Sequence, residues 1–273
     1  MQPQVHSPIF IIGSPRSGTN AFYYRFARHP ELAAITNITK KIPHSLTATK
    51  IIMCFRSDHI PTEARAVWDR FVCRDNDLLT RDDVTPKARR FLKKVVANNL
   101  KIFHKKRFIN KNPRNSFRIG FLHEIFPDAY FIHLIRDGRA VVNSILRSRL
   151  RHNGDYWGVK PPGWRDLLEK PLIEACALQW KLTVEHIQQS AQALPAARYL
   201  EIRYEDLVES PLDVFEGVAQ HCRLTWDPGY WGTILSDLQN MNYKWQEDFN
   251  PNDALSLNRE LGELLTRLGY TPS

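Results

Sequence analysis

Short apolar runs recur along the chain, and each leads into a stretch whose apolar positions return every three or four residues. The first run, Ile9–Ile12, enters a Gly-rich turn that opens into a helical pattern over Ser17–His29. Leu32–Ile35 predicts a second, short strand, and the polar, basic stretch 35–50 has weak periodicity. Pro61–Val72 predicts a helix, with Pro61 in the first turn, Thr62 as its cap, and Ala64, Val67, Trp68 and Phe71 along one side. Over Lys87–Arg107, Leu92, Val95, Val96, Leu100 and Phe103 stand at helical spacing, and Arg107–Asn110 follows as a strand. Pro113–Phe126 reads as helical, and Pro127-Asp128 closes it.

Ala129–Ile135 is the clearest buried strand of the second half. It runs into Arg136-Asp137-Gly138, after which Val141, Val142, Ile145 and Leu146 mark another amphipathic helix. The segment 151–170, rich in Gly, Pro and aromatics, breaks both periods and predicts a long surface loop, either a lid or a plain connection. A helix over Pro171–Leu194 carries Leu172, Cys176, Trp180, Val184 and Ile187 as its stripe, which places Trp180 in the core. Arg198–Tyr204 predicts a strand and Pro211–His221 a helix; Leu257, Leu261, Leu264, Leu265 and Leu268 form a last apolar face. Strands alternating with helices through short turns imply an α/β fold, a central parallel sheet flanked by helices in three layers. Neither repeats nor a flexible linker interrupts the pattern, so one domain over 1–273 is expected.

Composition changes this picture little. The 273 residues are 43% hydrophobic and 25% charged, ordinary values for a globular chain with a substantial core. No apolar stretch has the length of a membrane span, and the first strand begins too early for a secretory signal ahead of it, so a cytoplasmic protein is expected. The four cysteines, Cys54, Cys73, Cys176 and Cys222, are scattered, which suits core thiols and neither a disulfide framework nor a zinc site. The net charge of +9 has a local source, since Lys87–Arg107 holds nine Lys or Arg and no acid. A solvated helix face is the ordinary meaning; a surface for an anionic partner is the functional one.

Chemistry concentrates at Pro8–Asn20, PIFIIGSPRSGTN. Gly13 and Gly18 stand at the spacing of a phosphate-cradling loop, in which successive N–H groups point inward and a new helix begins beneath the anion. Where the nucleoside triphosphatase loop needs lysine, this chain has Thr19 and Asn20, and its cation is Arg16 inside the loop. An ordinary strand–turn–helix connection is the alternative, and strand, Arg, Ser, Gly and Thr in order favour phosphate binding.

Two strand–turn–helix units with an arginine at each turn resemble the sulfotransferase family, whose donor is 3′-phosphoadenosine 5′-phosphosulfate (PAPS). Pro15-Arg16-Ser17-Gly18-Thr19 matches the family's loop for the 5′-phosphosulfate, and Asn20 extends it. Arg136, with Ser144 eight residues on, matches the pair that holds the 3′-phosphate. Tyr204, leading Tyr204-Glu205-Asp206-Leu207, and the pair Lys244-Trp245 resemble segments near the adenosine. Asn110-Lys111-Asn112-Pro113 is similar to the segment that sets a cation on the transferring sulfuryl group in the protein-tyrosine and carbohydrate branches, which implies a catalytic Lys111. The resemblance spans residues 8–245 and implies a P-loop-like fold, PAPS as co-substrate, 3′-phosphoadenosine 5′-phosphate (PAP) as product, and no metal. Fixed Arg and Lys side chains serve here because a sulfuryl group carries less charge than a γ-phosphoryl group.

A general base is also required. The protein-tyrosine branch carries glutamates shortly after His-Pro-Glu; this chain has His29-Pro30-Glu31 but Ile35, Thr36 and Asn37 at the later positions. The base must lie elsewhere, with His44 first, then His59 and Glu63, while Lys40 and Lys41 suit orientation of an anionic acceptor. The basic helix and the aromatics Tyr156, Trp157 and Trp164 suit a carbohydrate or glycolipid acceptor among other small-molecule hydroxyls. Two other classes compete. A small-molecule kinase predicts Mg²⁺-dependent ATP binding, and a basic nucleic-acid-binding module predicts steeply salt-dependent binding at 87–107. The second leaves both arginine turns unexplained, so no nucleic-acid partner is expected.

Overall fold

The computed structural model of the chain describes residues 5–54, 59–72, 74–153, 155–235 and 238–271. Five parallel strands form the sheet: β1 (Ile9–Ile12), β2 (Leu32–Ala33), β3 (Arg107–Lys111), β4 (Tyr130–Ile135) and β5 (Tyr199–Arg203), in the order β2-β3-β1-β4-β5. The helices are α1 (Thr19–Phe26), α2 (Leu46–Cys54), α3 (Arg65–Trp68), α4 (Pro86–Phe103), α5 (Ile119–Ile125), α6 (Gly138–Leu150), α7 (Leu172–Ala191), α8 (Tyr204–Glu209), α9 (Pro211–His221), α10 (Pro228–Ile234), α11 (Lys244–Asp248) and α12 (Pro251–Arg267).

Central β1 explains why its sequence is uniformly apolar. Ile9 and Ile11 pack into one layer with Phe22 and Phe26 of α1 and Phe215 of α9. Phe10 and Ile12 pack into the opposite layer with Leu92, Val95 and Val96 of α4. A strand covered on both faces needs apolar side chains in both directions. A third cluster joins Val141 and Ile145 of α6, Trp180 and Val184 of α7, and Leu257 and Leu261 of α12.

From β1 the chain goes out to the β2–β3 side, then returns to build β4 and β5 on the other. Strand order therefore reverses between β1 and β4, and the carboxyl ends of such neighbours open a crevice. Their register is Ile9 with Tyr130 through Ile12 with His133. Hence the turns at Arg16 and Arg136 leave the same edge, side by side.

Several elements differ from the sequence pattern. Thr62 caps no helix; its N–H donates to Ile35 O at 2.8 Å, and Pro61 pairs with Thr36 in an antiparallel bridge. That pairing holds 60–62 extended, so α3 begins only at Arg65, after Ala64 in the left-handed region at φ 51°. Polar 35–50 leads into α2, a helix whose one fully buried residue is Thr49. Arg118 divides Pro113–Phe126 into a 3₁₀ turn and α5. Cys176 and Cys222 are buried, and burial pushes their thiols up to about 11 and about 12. Cys54, by contrast, is exposed at the end of α2, and Cys73 lies outside the described residues.

Candidate functional site

The loop between β1 and α1 is built on two glycines that tolerate no side chain. Gly13 (φ +147°) would place a Cβ 2.6 Å from Leu134 O, and Gly18 (φ +87°) would place one 2.4 Å from the Tyr204 ring. Arg16 itself is left-handed at φ 72°, a conformation that costs a non-glycine residue about 1 kcal/mol or more. Because Gly18 is the N-cap of α1 and offers no side chain, the first-turn amides remain open to an incoming anion. Behind them the buried Ser17 hydroxyl lacks a hydrogen-bond partner. A phosphosulfate or phosphate group suits this cradle.

At the neighbouring turn the arrangement is different. Asp137 caps α6 itself, its Oδ1 accepting from Arg139 N at 2.9 Å while its carboxylate pairs with the Arg139 guanidinium. The start of α6 is thus taken by its own cap, unlike that of α1, so an anion at this turn would meet side chains and not open helix amides. Arg136 lies over Tyr204 with its guanidinium carbon 4.3 Å from the ring centre. Its Nη1 donates to Arg16 O at 3.1 Å, its Nη2 to Met241 O at 2.8 Å, and its Nε to Asn242 Oδ1 at 2.7 Å. Arg16 Nε in turn donates to Ser144 Oγ at 2.8 Å. The two arginine turns therefore touch, through one backbone carbonyl and one hydroxyl.

Lys111, at the end of β3, forms the third wall. It is 3% exposed, and its ammonium donates to Asn20 Oδ1 at 2.7 Å and Glu63 Oε1 at 2.5 Å. Burial lowers the Lys111 pKa against the opposing pull of Glu63. For Glu63 burial acts upward, but Lys111 and Arg65 together hold the carboxyl below its ordinary value. Glu63 and Arg65 flank the left-handed Ala64, so the strained residue sits between two side chains of the site.

These walls enclose a cleft of about 770 Å³. Eight of the residues lining it are Arg or Lys and one is acidic, Glu63, which fits a ligand of several negative charges. Arg16, Gly18, Thr19, Asn20, Lys111, Arg136, Ser144, Tyr204, Lys244 and Trp245 all line it, with Ser17 buried just behind. Trp157, Gly158 and Val159 bring part of the 151–170 loop to the cleft, where Gln179 holds the carbonyls of Trp157 and Val159 at 3.0 and 2.8 Å. His44 is not brought there. It is exposed and packs against Phe91, ring centres 6.4 Å apart, while His59 packs on Phe103. The basic side chains of α4 stay outside the cleft as well.

No motif marks Asn143, Arg147 or Arg151, yet they line the cleft with Ser144. Their spacing was the available signal, because residues three, four and seven apart share one helix face. Asn143 and Arg147 also meet Asp248, which ties α6 to α11. Among the described residues no group of His, Cys, Asp or Glu could hold a metal ion, and no helix is long and apolar enough to cross a membrane.

A switch-point crevice with an open helix end, a second cationic pocket in contact with it and aromatic side chains alongside defines a protein that binds a doubly anionic nucleotide. Comparison gives the particular family: the sulfotransferase family profile matches residues 8–228, and the chain belongs to that family. As a member it is an enzyme that uses PAPS as co-substrate and leaves PAP. The chain is 24% identical over 284 residues to protein-tyrosine sulfotransferase A of Caenorhabditis elegans, covering 97% of this chain and 67% of that one. It is 25% identical over 299 residues to the omega-hydroxy-beta-dihydromenaquinone-9 sulfotransferase Stf3 of Mycobacterium bovis, covering 96% and 75%. Among solved structures, sulfotransferase STF9 of Mycobacterium avium shares the fold with TM-score 0.66 at 16% identity, over 99% of this chain and 79% of that one.

Proposed function

We propose that the chain moves the sulfuryl group of PAPS to an acceptor hydroxyl, with Lys111 and Glu63 as the pair at the reacting centre. The supporting observation is the direct contact between the two arginine turns, Arg136 Nη1 to Arg16 O at 3.1 Å, which favours one nucleotide reaching both. In this reading the Arg16–Asn20 loop takes the 5′-phosphosulfate, and Arg136, Ser144 and Arg147 take the 3′-phosphate. Tyr204, Lys244 and Trp245 flank the nucleoside. The acceptor oxygen attacks sulfur in line with the bridging oxygen; the sulfur–oxygen bond to the 5′-phosphate breaks, and its electron pair leaves with PAP. Lys111 stabilises the charge growing on that bridging oxygen.

In this reading Glu63 accepts the acceptor's proton, because it lines the cleft beside Lys111 and His44 does not. The carboxylate is ionised at neutral pH, as a base must be, and its close partner Lys111 tunes it. When Lys111 turns to the bridging oxygen, Glu63 loses the strongest influence holding its pKa down and becomes more basic as transfer proceeds. The two named relatives act, by their names, on a protein tyrosine and on an omega-hydroxy lipid quinone, and both names describe hydroxyl acceptors. Carbohydrate and glycolipid hydroxyls belong to the same chemical class.

Single-turnover sulfuryl transfer tests the assignment. Glu63→Gln slows the step by roughly 10²–10⁴-fold while PAP still binds, and His44→Ala stays near wild type. A slow His44→Ala beside a normal Glu63→Gln overturns it.

A further inference from the structure

Beside the cleft lies a second pocket of about 560 Å³, and the two share Glu63 and Arg65. Its walls are two segments held together by pairing: Asn37 N–H donates to Ile60 O at 2.9 Å and Thr62 N–H to Ile35 O at 2.8 Å. From within, Thr39 Oγ1 donates to Asn99 Oδ1 at 2.8 Å and anchors the turn that carries Lys40 and Lys41. The pocket is thus a built feature of the fold, with a fixed relation to Glu63.

Its chemistry is lopsided. The Tyr24 ring, Ala64, Ala66 and Val67 make an apolar lining, at whose rim stand Lys40, Lys41 and Arg65. The one carboxylate present, Glu63, already has Lys111 at 2.5 Å and Arg65 at 2.9 Å. Lys40 and Lys41 are exposed, and among the described residues neither ammonium has an acidic partner. Nor do these two lysines line the donor cleft, so the donor's own charges do not account for them.

Resting on the donor-site reading above, we infer that this pocket receives the acceptor and selects a hydroxyl compound that joins an apolar body to a carboxylate or other fixed anion. The hydroxyl faces Glu63, the body lies on the Tyr24, Ala66 and Val67 surface, and the anion meets Lys40 and Lys41. A neutral hydroxyl of the same shape leaves both ammoniums without a counter-charge and binds less well.

Thermal shift of the PAP-loaded protein tests this with matched probes. 4-Hydroxyphenylacetate and 12-hydroxydodecanoate are each compared with the uncharged methyl ester, so the arms separate an aromatic from an aliphatic body. At about ten times its Kd, an acid raises the Tm by roughly 2–5 °C, and its ester needs at least about tenfold higher concentration for the same effect. The double variant Lys40→Glu, Lys41→Glu, altered at exposed positions, keeps its PAP shift and loses most of the response to the acid. Esters that stabilise as well as acids, or acids that stabilise the charge-reversed variant equally, overturn the inference. So does a PAP-loaded protein that answers to none of the four. Failure of PAP itself to shift the wild-type protein is a different result, which sinks the donor-site reading instead.

Discussion

Substituting Gly18 by alanine strikes the fold and the donor site at one atom. The new Cβ faces two penalties: the residue sits at φ +87°, and the methyl would lie 2.4 Å from Cδ2 and 2.9 Å from Cε2 of Tyr204. Left-handed backbone costs alanine about 1–2 kcal/mol, and forcing an extra methyl into packed surroundings costs about 1–3 kcal/mol. Stiffening of the unfolded chain returns roughly 0.4–1 kcal/mol. The net loss is about 1–5 kcal/mol, a fall in Tm of roughly 2–9 °C for a chain of this length. Tyr204 has little room to yield, since its hydroxyl donates to Gln239 O at 3.0 Å and Arg136 lies on its ring. The displaced ring carries Arg136 with it, so PAP affinity drops at least about tenfold along with stability. Calorimetric melting and titration with PAP measure both. A double-mutant cycle with Tyr204→Ala isolates the steric part, because Gly18→Ala costs about 1–3 kcal/mol less once the ring is gone. Wild-type melting and PAP affinity for the single variant, or no coupling in the cycle, refute the reasoning.

Two other predictions concern the frame around the site. Trp180 is fully buried and its ring would touch a Cβ at Gly138, so Trp180→Ala opens a cavity under the start of α6 and costs about 3–5 kcal/mol by chemical denaturation. Glu201 is held down to about 2: burial acts upward, but hydrogen bonds from His133 and Tyr199 outweigh it. A folded pKa below the unfolded one gives stability that is present above about pH 4.5 and is lost as pH falls toward 2. Screening by solvent at its half-exposed carboxylate limits that contribution to roughly 1–2 kcal/mol; melting between pH 5 and pH 2.5 should be flatter for Glu201→Gln than for wild type.

Much of this was legible in the chain because the informative signals are local. Ile9–Ile12 and the glycines of the first loop announce a buried strand entering a phosphate turn, and Arg136 marks the second turn at the end of another apolar run. Parallel pairing of β1 with β4 brings the two together. Long-range contacts explain what was not legible. Thr62 looked like a helix cap because nothing local shows that its N–H pairs with Ile35 O. Glu63 ranked behind two histidines since only the fold sets it 2.5 Å from Lys111, a partner 48 residues away. His44 drew notice for its ring chemistry, which says nothing about the side of α4 on which it packs. Asp137 likewise spoils the anion-binding end of α6 by a capping bond that reading of the arginine alone overlooks.

Arg136→Ala tests most directly the proposal that two touching anion sites hold the ends of one nucleotide. Calorimetric titration of this variant compares PAP, which carries both phosphates, with adenosine 5′-phosphate, which lacks the 3′ group. Loss of a hydrogen-bonded charge contact of about 1.5–3 kcal/mol predicts PAP binding weakened roughly 10–100-fold, with adenosine 5′-phosphate changed by less than about threefold. Equal losses for the two nucleotides, or none for either, contradict the placement of the 3′-phosphate at Arg136.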